Sequence, residues 1–393
     1  MLAGLLFAVR DAEDRSGKLA ATLPFGGLTL IEYQARLLAG LGVSQIIVII
    51  ARLTPELRGA IARTGRRGVT VDAVSTAAEA AAKLHPLAGL VMLADGLVTT
   101  EAVIAPLMTE TSDTLLVLDE SEAPSVFERI GGRTAWAGVA RLARARLKEV
   151  AALPAEYDVQ SSLLRAAAQA GAMHVVLANN GIRSGHGIEL RGDALDSRGC
   201  SVMASMLSAK RGWFDRWIVA PIARPLLTQA MRRGVATIAL AAVAGGLAAG
   251  GLFAIHTGYW ASGAVAAAAG AIVASAGATL ASLRDEAISM RGFAATVFAI
   301  PALALLLLGH AIDQTTDQAS GRILAVVMVA AAALGERAAT EHSRRFWWGS
   351  PPAYLAMVTV ATIAGRPLVG LGLAGAYAAL SLASAIEMLR RDP

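Results

Sequence analysis

Hydrophobic positions change their rhythm twice along this chain. From Leu2 to about Asp119, short apolar runs alternate with segments of helical spacing. "LAGLLFAV" precedes the polar turn "RDAEDRSGK". "TLIEYQARLLAGLG" carries apolar residues three and four apart and closes on Gly42. "VSQIIVIIA" is a β-branched run of the kind buried on both faces of a sheet. "TPELRGAIARTG" predicts a helix with Thr54 as its cap, Pro55 in its first turn and Gly65 at its end. "GVTVDAV", "GLVMLADG" and "TLLVLD" predict strands, whereas "TAAEAAAKL", "TEAVIAPLM" and the stretch through "WAGVARLARARL" predict helices. This alternation is that of an α/β three-layer domain, a mostly parallel sheet with helices on both faces, over residues 1–204.

After about Gly234 the polar positions thin out. Apolar blocks cover about 234–255, 259–283, 292–308, 323–334, 352–363 and 367–386, predicting an all-α membrane domain of about six transmembrane helices over 234–393. "GLAAG", Gly246 to Gly250, is expected to permit close helix contact. Between the domains, 205–233 interleaves Lys210, Arg211, Trp213, Arg216, Trp217, Arg224, Arg232 and Arg233. Such a segment suits the membrane interface, with indole rings at headgroup level and cations toward anionic lipid. The alternative is a basic linker helix.

Composition sharpens this division. Charged residues are 17% of the chain, against roughly 25% in soluble domains, and most acids precede residue 200. The net charge of +5 comes with arginines at the ends of apolar blocks, which points to membrane lipids as partners and not to nucleic acid. Arg232 and Arg233, Arg284 and Arg291, then Arg337, Arg344 and Arg345, and finally Arg390 and Arg391 mark alternate ends. "GHAIDQTTDQAS" lies on the basic-poor side. This pattern predicts a multi-pass protein of a bacterial inner membrane with its N-terminal domain and both termini cytoplasmic. The single Cys200 excludes an intrachain disulfide and fits a reducing compartment. "MLAGLLFAV", without a preceding basic residue, reads as a buried strand and not as an export signal.

Ligands of such sheets bind beyond the carboxyl ends of the strands. Two places qualify. The loop after the first strand holds Arg10, Arg15 and Lys18 near Gly17, suited to a nucleotide phosphate, but also Asp11, Glu13 and Asp14, suited to a solvated, salt-bridged turn. Asp95, after "LVMLA", is a candidate metal ligand for Mg²⁺ beside a diphosphate, and Gly96 allows close backbone approach; an acid there could equally cap the next helix. Arg183, His186, Glu189 and Asp193 form a further group suited to a substrate phosphate or a second metal, although a lone histidine in a Gly- and Ser-rich loop is more often simply exposed. Trp136 and Tyr157 are expected to pack.

The order of first strand, polar loop, "LPFGGLTLIEYQARLLAGLGVSQIIVII" and a later strand ending in Asp resembles the nucleotidyltransferase (GT-A-like) family, which joins a nucleoside triphosphate to a phosphorylated alcohol or sugar. The match lies mainly in Leu23 to Ile50. It implies a nucleoside triphosphate with Mg²⁺ as cofactor, Arg15 near the family arginine and Asp95 on its metal-binding acid. The family lysine before "LPFGG" is missing, and Lys18 replaces it only loosely. The helical half, through "KRGWFDRWIVAPIARPLL" and "GRPLVGLGLAGAYAAL", resembles by its layout the CDP-alcohol phosphotransferase family. That family holds two metals on Asp-Gly, two residues, Ala-Arg, eight residues, Gly and two more Asp. Laid on that signature, "GATLASLRDEAISMRG" places Gly277 and Ala278 at the Asp-Gly and Ala281-Ser282 at the Ala-Arg. Gly292 lies one residue off, and Asp285 and Glu286 are the carboxylates nearby. The metal motif is therefore read as lost.

Three functions compete. The first is a membrane-anchored nucleotidyltransferase-like protein of phospholipid or cell-envelope lipid synthesis. The second is a non-catalytic partner of an active lipid enzyme, forming a homo- or heterodimer through the membrane domain. The third, a transporter, is disfavoured because Glu336 and His310 sit near span ends and no polar path joins them. No residue stands out as catalytic.

Overall fold

The structure is a computed structural model and describes residues 2–65, 68–154, 156–178, 181–182, 184–209, 212–233, 235–284, 286–316, 319–338 and 346–391. Arg183, Lys210, Arg211, Asp285, Arg344 and Arg345, and the side chain of Arg232, lie outside what is described. The chain divides into two compact units, Met1–Ser205 and Met206–Pro393.

The first unit is built on strands β1 (Leu2–Ala8), β2 (Pro24–Phe25), β3 (Leu28–Thr29), β4 (Gln45–Ile50), β5 (Thr70–Val74), β6 (Gly89–Leu93), β7 (Leu97–Val98), β8 (Thr114–Asp119), β9 (Arg129–Gly131), β10 (Thr134–Leu142), β11 (Met173–Val176) and β12 (Gly187–Ile188). Its helices, among the described residues, include α1 (Leu30–Gly40), α2 (Pro55–Gly65), α3 (Ala77–Lys83), α4 (Glu101–Met108), α5 (Arg144–Ala151), α6 (Val159–Gln169) and α7 (Gly192–Ala209). The main sheet runs β11-β8-β10-β6-β1-β4-β5, with β9 on β10. β1, β4, β5 and β6 are parallel where they pair, and β11 is parallel to β8. From β1 the chain steps to β4 and β5, then doubles back to β6. Right-handed crossovers thus place α1 and α2 on one face and α3 on the other. In agreement, α1 packs with α2, α3 with α5, and α5 with α6.

One predicted element is wrong. "TAWAGVARL" was expected within a helix and is β10, antiparallel to both β6 and β8, so the sheet is mixed. Its Ala, Arg and Leu spacing is helical, but the strand is nearly all buried, as a central strand is. The register breaks between Trp136 and Ala140. Gly138 supplies the bulge with φ +86°, and a Cβ there would stand 2.8 Å from Leu97. Trp136 packs as expected, its Nε1 donating to Val139 O at 2.9 Å. Tyr157 does not; it is 57% exposed.

The second unit opens with a π-helical turn, Asp215–Val219, and α8 (Ala220–Arg232). Six helices follow: α9 (Thr237–His256), α10 (Trp260–Leu283), α11 (Ala287–Thr316), α12 (Ser320–Ala338), α13 (Pro351–Ile363) and α14 (Pro367–Arg391). Among the described residues, four are long and apolar enough to cross a membrane, over Thr237–His256, Trp260–Leu283, Ile288–Thr316 and Pro367–Arg390. This corrects the expectation of about six. α12 is long enough but carries Arg322, Glu336 and Arg337. α13, with 13 residues, spans only about 20 Å of a hydrocarbon core about 30 Å thick.

Glycine decides how these helices meet, but not at the predicted positions. Nothing lies within 4 Å of a Cβ built on Gly246 or Gly250. On Gly251 it would stand 2.7 Å from Ala267 N and Gly263 O, and on Gly263 2.6 Å from Gly251 O. α9 and α10 therefore touch backbone to backbone, and any side chain there separates them.

Candidate functional site

The carboxyl ends of β1 and β6 are brought together by one carboxylate. Asp95 follows β6, and its Oδ2 accepts from the backbone N–H groups of Val9 and Arg10, both at 2.8 Å. Its own N–H donates to Gln160 Oε1 at 3.0 Å. Gln34 of α1 donates Nε2 to Ala94 O and Leu97 O at 3.0 and 2.9 Å, fixing the turn around Asp95. Asp95 is 1% exposed and its Oδ1 meets no partner. Burial pushes the carboxyl up to about 6, against the opposing pull of the neighbouring backbone N–H groups of Arg10, Val9 and Gly96 and of the Arg10 charge.

Gly96 is fixed by its surroundings as well as by its φ of +78°. A Cβ would stand 2.8 Å from Glu189 O, and Glu189 N–H donates to Gly96 O at 2.9 Å. The neighbouring β7 pairs with β12, Leu97 opposite Ile188 and Val98 opposite Gly187. The segment after β12 then reaches the loop that follows β1. Glu13 N–H donates to Leu190 O at 3.0 Å, and Gly192 N–H to Asp14 Oδ2 at 2.9 Å.

The loop itself is folded shut. Asp11 and Leu19 form a bridge, Ala12 N–H donates to Lys18 O at 2.8 Å, and Ala20 N–H to Arg10 O at 2.9 Å. Its exposed side carries salt bridges: Arg52, from outside the loop, pairs with Asp11 and also donates to Gly17 O, and Arg15 lies 3.9 Å from Asp14. Arg10, Asp95 and Gly96 thus converge. Arg15 is turned to Gly192, where a Cβ would stand 3.1 Å from its Nη2, and Lys18 is an exposed residue at the far end of the loop.

Arg183 lies outside the described residues, and the other three of its group, His186, Glu189 and Asp193, do not come together. His186 is buried, contrary to the exposed loop position expected of it. Its Nε2 lies 2.7 Å from Ala137 O and its Nδ1 2.9 Å from Thr99 Oγ1. A carbonyl only accepts, so Nε2 carries the proton and Nδ1 accepts from the hydroxyl. Burial pushes this imidazole down to about 4, which keeps it neutral at pH 7. It is a strut between the β7–α4 turn and β10. Glu189 is taken by Arg198 Nε at 2.5 Å, while Arg198 Nη1 also donates to His186 O at 2.9 Å. Asp193 pairs with Arg191 at 2.9 Å.

Among the described residues no group of three His, Cys, Asp or Glu can hold a metal ion. Mg²⁺ in nucleotide sites is held by one or two carboxylates, with phosphates and waters completing the shell. The orphaned Oδ1 of Asp95 suits that chemistry; its enclosure is the obstacle. In the helical unit, a Cβ on Gly277 would stand 2.4 Å from the Phe293 ring. Arg284 donates to Val235 O and Thr237 Oγ1 at 2.9 and 3.0 Å, and Thr237 donates to Glu286 at 3.0 Å.

Gln34 and Gln160 were missed. Each sits on an apolar stripe, Gln34 with Leu30 and Leu38, and Gln160 with Leu163, Leu164 and Ala167. A polar residue at a buried helical position signals a buried hydrogen-bond partner, an acceptor for Gln34 and a donor for Gln160, and that signal was available.

No protein-family model matches the chain, and no curated protein matches it in sequence. Solved structures to which it is similar include an inositol-1-phosphate CTP transferase from T. maritima, at 11% identity and TM-score 0.36, over 49% of this chain and 86% of that one. Another is a UDP-glucose pyrophosphorylase from Acinetobacter baumanii, at 9% identity and TM-score 0.36, over 52% and 94%.

Proposed function

We propose that this is a membrane-anchored nucleotidyltransferase-like protein of phospholipid or cell-envelope lipid synthesis. Its first unit binds a nucleoside triphosphate at the carboxyl ends of β1 and β6, and its helical unit tethers that site to the membrane. One observation carries the reading: Asp95 keeps a buried, unpaired Oδ1 beside Arg10, where sheets of this kind take ligands. In this reading Arg10 faces the phosphates, Arg15 leaves its place beside Gly192 to meet them when nucleotide binds, and Asp95 holds a Mg²⁺ that neutralises their charge. Calorimetric titration of the full chain with CTP and GTP tests it. Wild type should bind in a Mg²⁺-dependent way, Asp95→Asn should lose that dependence, and Arg15→Ala should bind more weakly. No binding to wild type at millimolar nucleotide would overturn it.

The enclosure of Asp95 and the Gly192–Asp14 hydrogen bond support a second reading, a non-catalytic partner acting through a dimer of the membrane units. In both readings the helical unit has lost CDP-alcohol phosphotransfer. The support is the apolar character of the signature positions and the Phe293 ring against Gly277. Purified protein with CDP-diacylglycerol, Mg²⁺ and polyol phosphates should release no CMP.

The proposed location is a bacterial inner membrane with the first unit cytoplasmic. Arg284, Arg337 and Arg390, at the carboxyl ends of α10, α12 and α14, support it, against Arg366 at the start of α14. Arg322, at the opposite end, is neutralised by Asp313 Oδ2 at 2.9 Å and adds no net charge there. A reporter after Pro393 should read cytoplasmic and one near Thr315 exoplasmic.

A further inference from the structure

The stretch leading into the first span contains two tryptophans that the structure treats differently. Trp213 is a bolt. Its Nε1 donates to Tyr377 Oη at 2.8 Å, its N–H donates to Phe346 O at 2.8 Å, and Tyr377 in turn donates to Trp347 O. Trp217, four residues on, is 69% exposed, with the Arg216 guanidinium 5.8 Å from its ring centroid.

The backbone explains the difference. Asp215–Val219 forms a π-helical turn, and α8 continues from it. Phe214, Val219, Ala220, Ala223, Leu227 and Ala230 are buried, and α8 packs on α10. On the other side, the exposed residues from 212 to 225 are Arg216, Trp217, Ile218, Pro221, Ile222, Arg224 and Pro225. Ile222 is 51% exposed. An indole and two isoleucines set between guanidinium groups are poorly placed in bulk water. They are well placed at a lipid–water boundary, where the rings and branched chains reach the acyl region and the cations meet phosphate.

The surface is continuous with the spans. Arg284, at the end of α10, donates to Val235 O just before α9, so the end of α10 and the start of α9 lie at one end of the helical unit. α8 leads into that same start, where Ile238 stands exposed on the first turn of α9.

We propose that the face from Arg216 to Pro225 binds anionic phospholipid headgroups, with Trp217 and Ile222 seated in the leaflet and Arg216 on a lipid phosphate. This rests on the membrane reading of the second unit and is independent of nucleotide binding by the first.

The test uses the full chain in nanodiscs of phosphatidylcholine with and without phosphatidylglycerol. A spin label at Ile222→Cys in a Cys200→Ser background reports depth by its accessibility to oxygen and to a water-soluble nickel chelate. A second label at Val243→Cys, on the exposed side of α9, serves as control. The label at 222 should read the shallow acyl region just below the headgroups and the label at 243 the bilayer interior. Native mass spectrometry should find phosphatidylglycerol retained by wild type, reduced about five-fold in Arg216→Gln and reduced also in Trp217→Ser. If 243 reads the interior while 222 reads bulk water, or if labels at 222 broaden each other because a second copy covers the face, the proposal is overturned and the membrane reading stands. If both labels read water, the membrane reading itself fails. Unchanged lipid retention in both variants would also overturn the proposal.

Discussion

The two regions of this protein that matter most are each held together by opposite means. At the carboxyl end of the sheet, side-chain atoms do the joining: Asp95 ties β6 to β1, Gln34 and Gln160 hold the turn around it, and His186 spans from Thr99 to Ala137. In the helical unit the joining is done by the lack of side chains, where Gly251 and Gly263 let two backbones touch. Buried polar atoms fix geometry by direction and carry charge, so the first region responds to pH. Close backbone contact fixes geometry by exclusion, so the second responds to volume.

That contrast breaks most visibly in the helices. Gly251→Leu should cost about 3 kcal/mol or more, because the new atoms meet backbone that cannot turn aside. Gly246→Leu and Gly250→Leu should be nearly neutral, since nothing lies within 4 Å of either. At about 2–4 °C per kcal/mol, thermal unfolding in detergent separates the outcomes. Equal losses at all three positions would show that α9 and α10 do not meet as described.

The sheet end should answer to protons, with two opposed effects. Asp95 has its folded pKa raised to about 6 by burial, so its contribution is fully present below its ordinary value near 4 and lost as pH rises through 6. His186 has its folded pKa lowered to about 4 by burial, so its contribution is present above its ordinary value near 6.5 and lost as pH falls through 4. Each amounts to about 3 kcal/mol, and in wild type they offset between pH 4 and 6.5. Relative to wild type, Asp95→Asn should therefore gain stability as pH rises across that window, and His186→Gln should lose it. Profiles that stay parallel to wild type from pH 4 to 7 would mean neither group is buried as described.

A volume change at the sheet end should be felt less than one in the helices. Gly96→Ala adds a Cβ 2.8 Å from Glu189 O at a φ of +78°, and both effects point the same way. A loss of about 2 kcal/mol is expected. A loss as large as that of Gly251→Leu would remove the contrast between the two regions.

Much of this was legible in the residues. The strands "LAGLLFAV", "QIIVII" and "GLVML" could hardly be anything else, since short, continuous apolar runs bounded by turns must be buried on both faces. That Arg10 follows β1 and that Asp95 and Gly96 follow β6 was legible from the order of strands and turns. β10 was not legible, because a bulged strand built of Ala, Gly and Arg has no period of two to read. His186 was misjudged because its loop is polar, while the surfaces that bury it, Thr99 and Ala137, lie far away in sequence.

The sequence by itself determined where the apolar blocks fall, which acid follows β6, and that the second half of the chain is far more apolar than the first. These are local properties, set by side-chain chemistry and spacing along a few turns. Only the tertiary structure decided that Asp95 is enclosed, that Gly251 and not Gly246 or Gly250 is the contact, and that Trp217 faces out while Trp213 is bolted in. Each depends on which distant backbone comes to lie within a few ångströms. A helix with glycine or tryptophan on several faces leaves that choice open until its neighbours have packed.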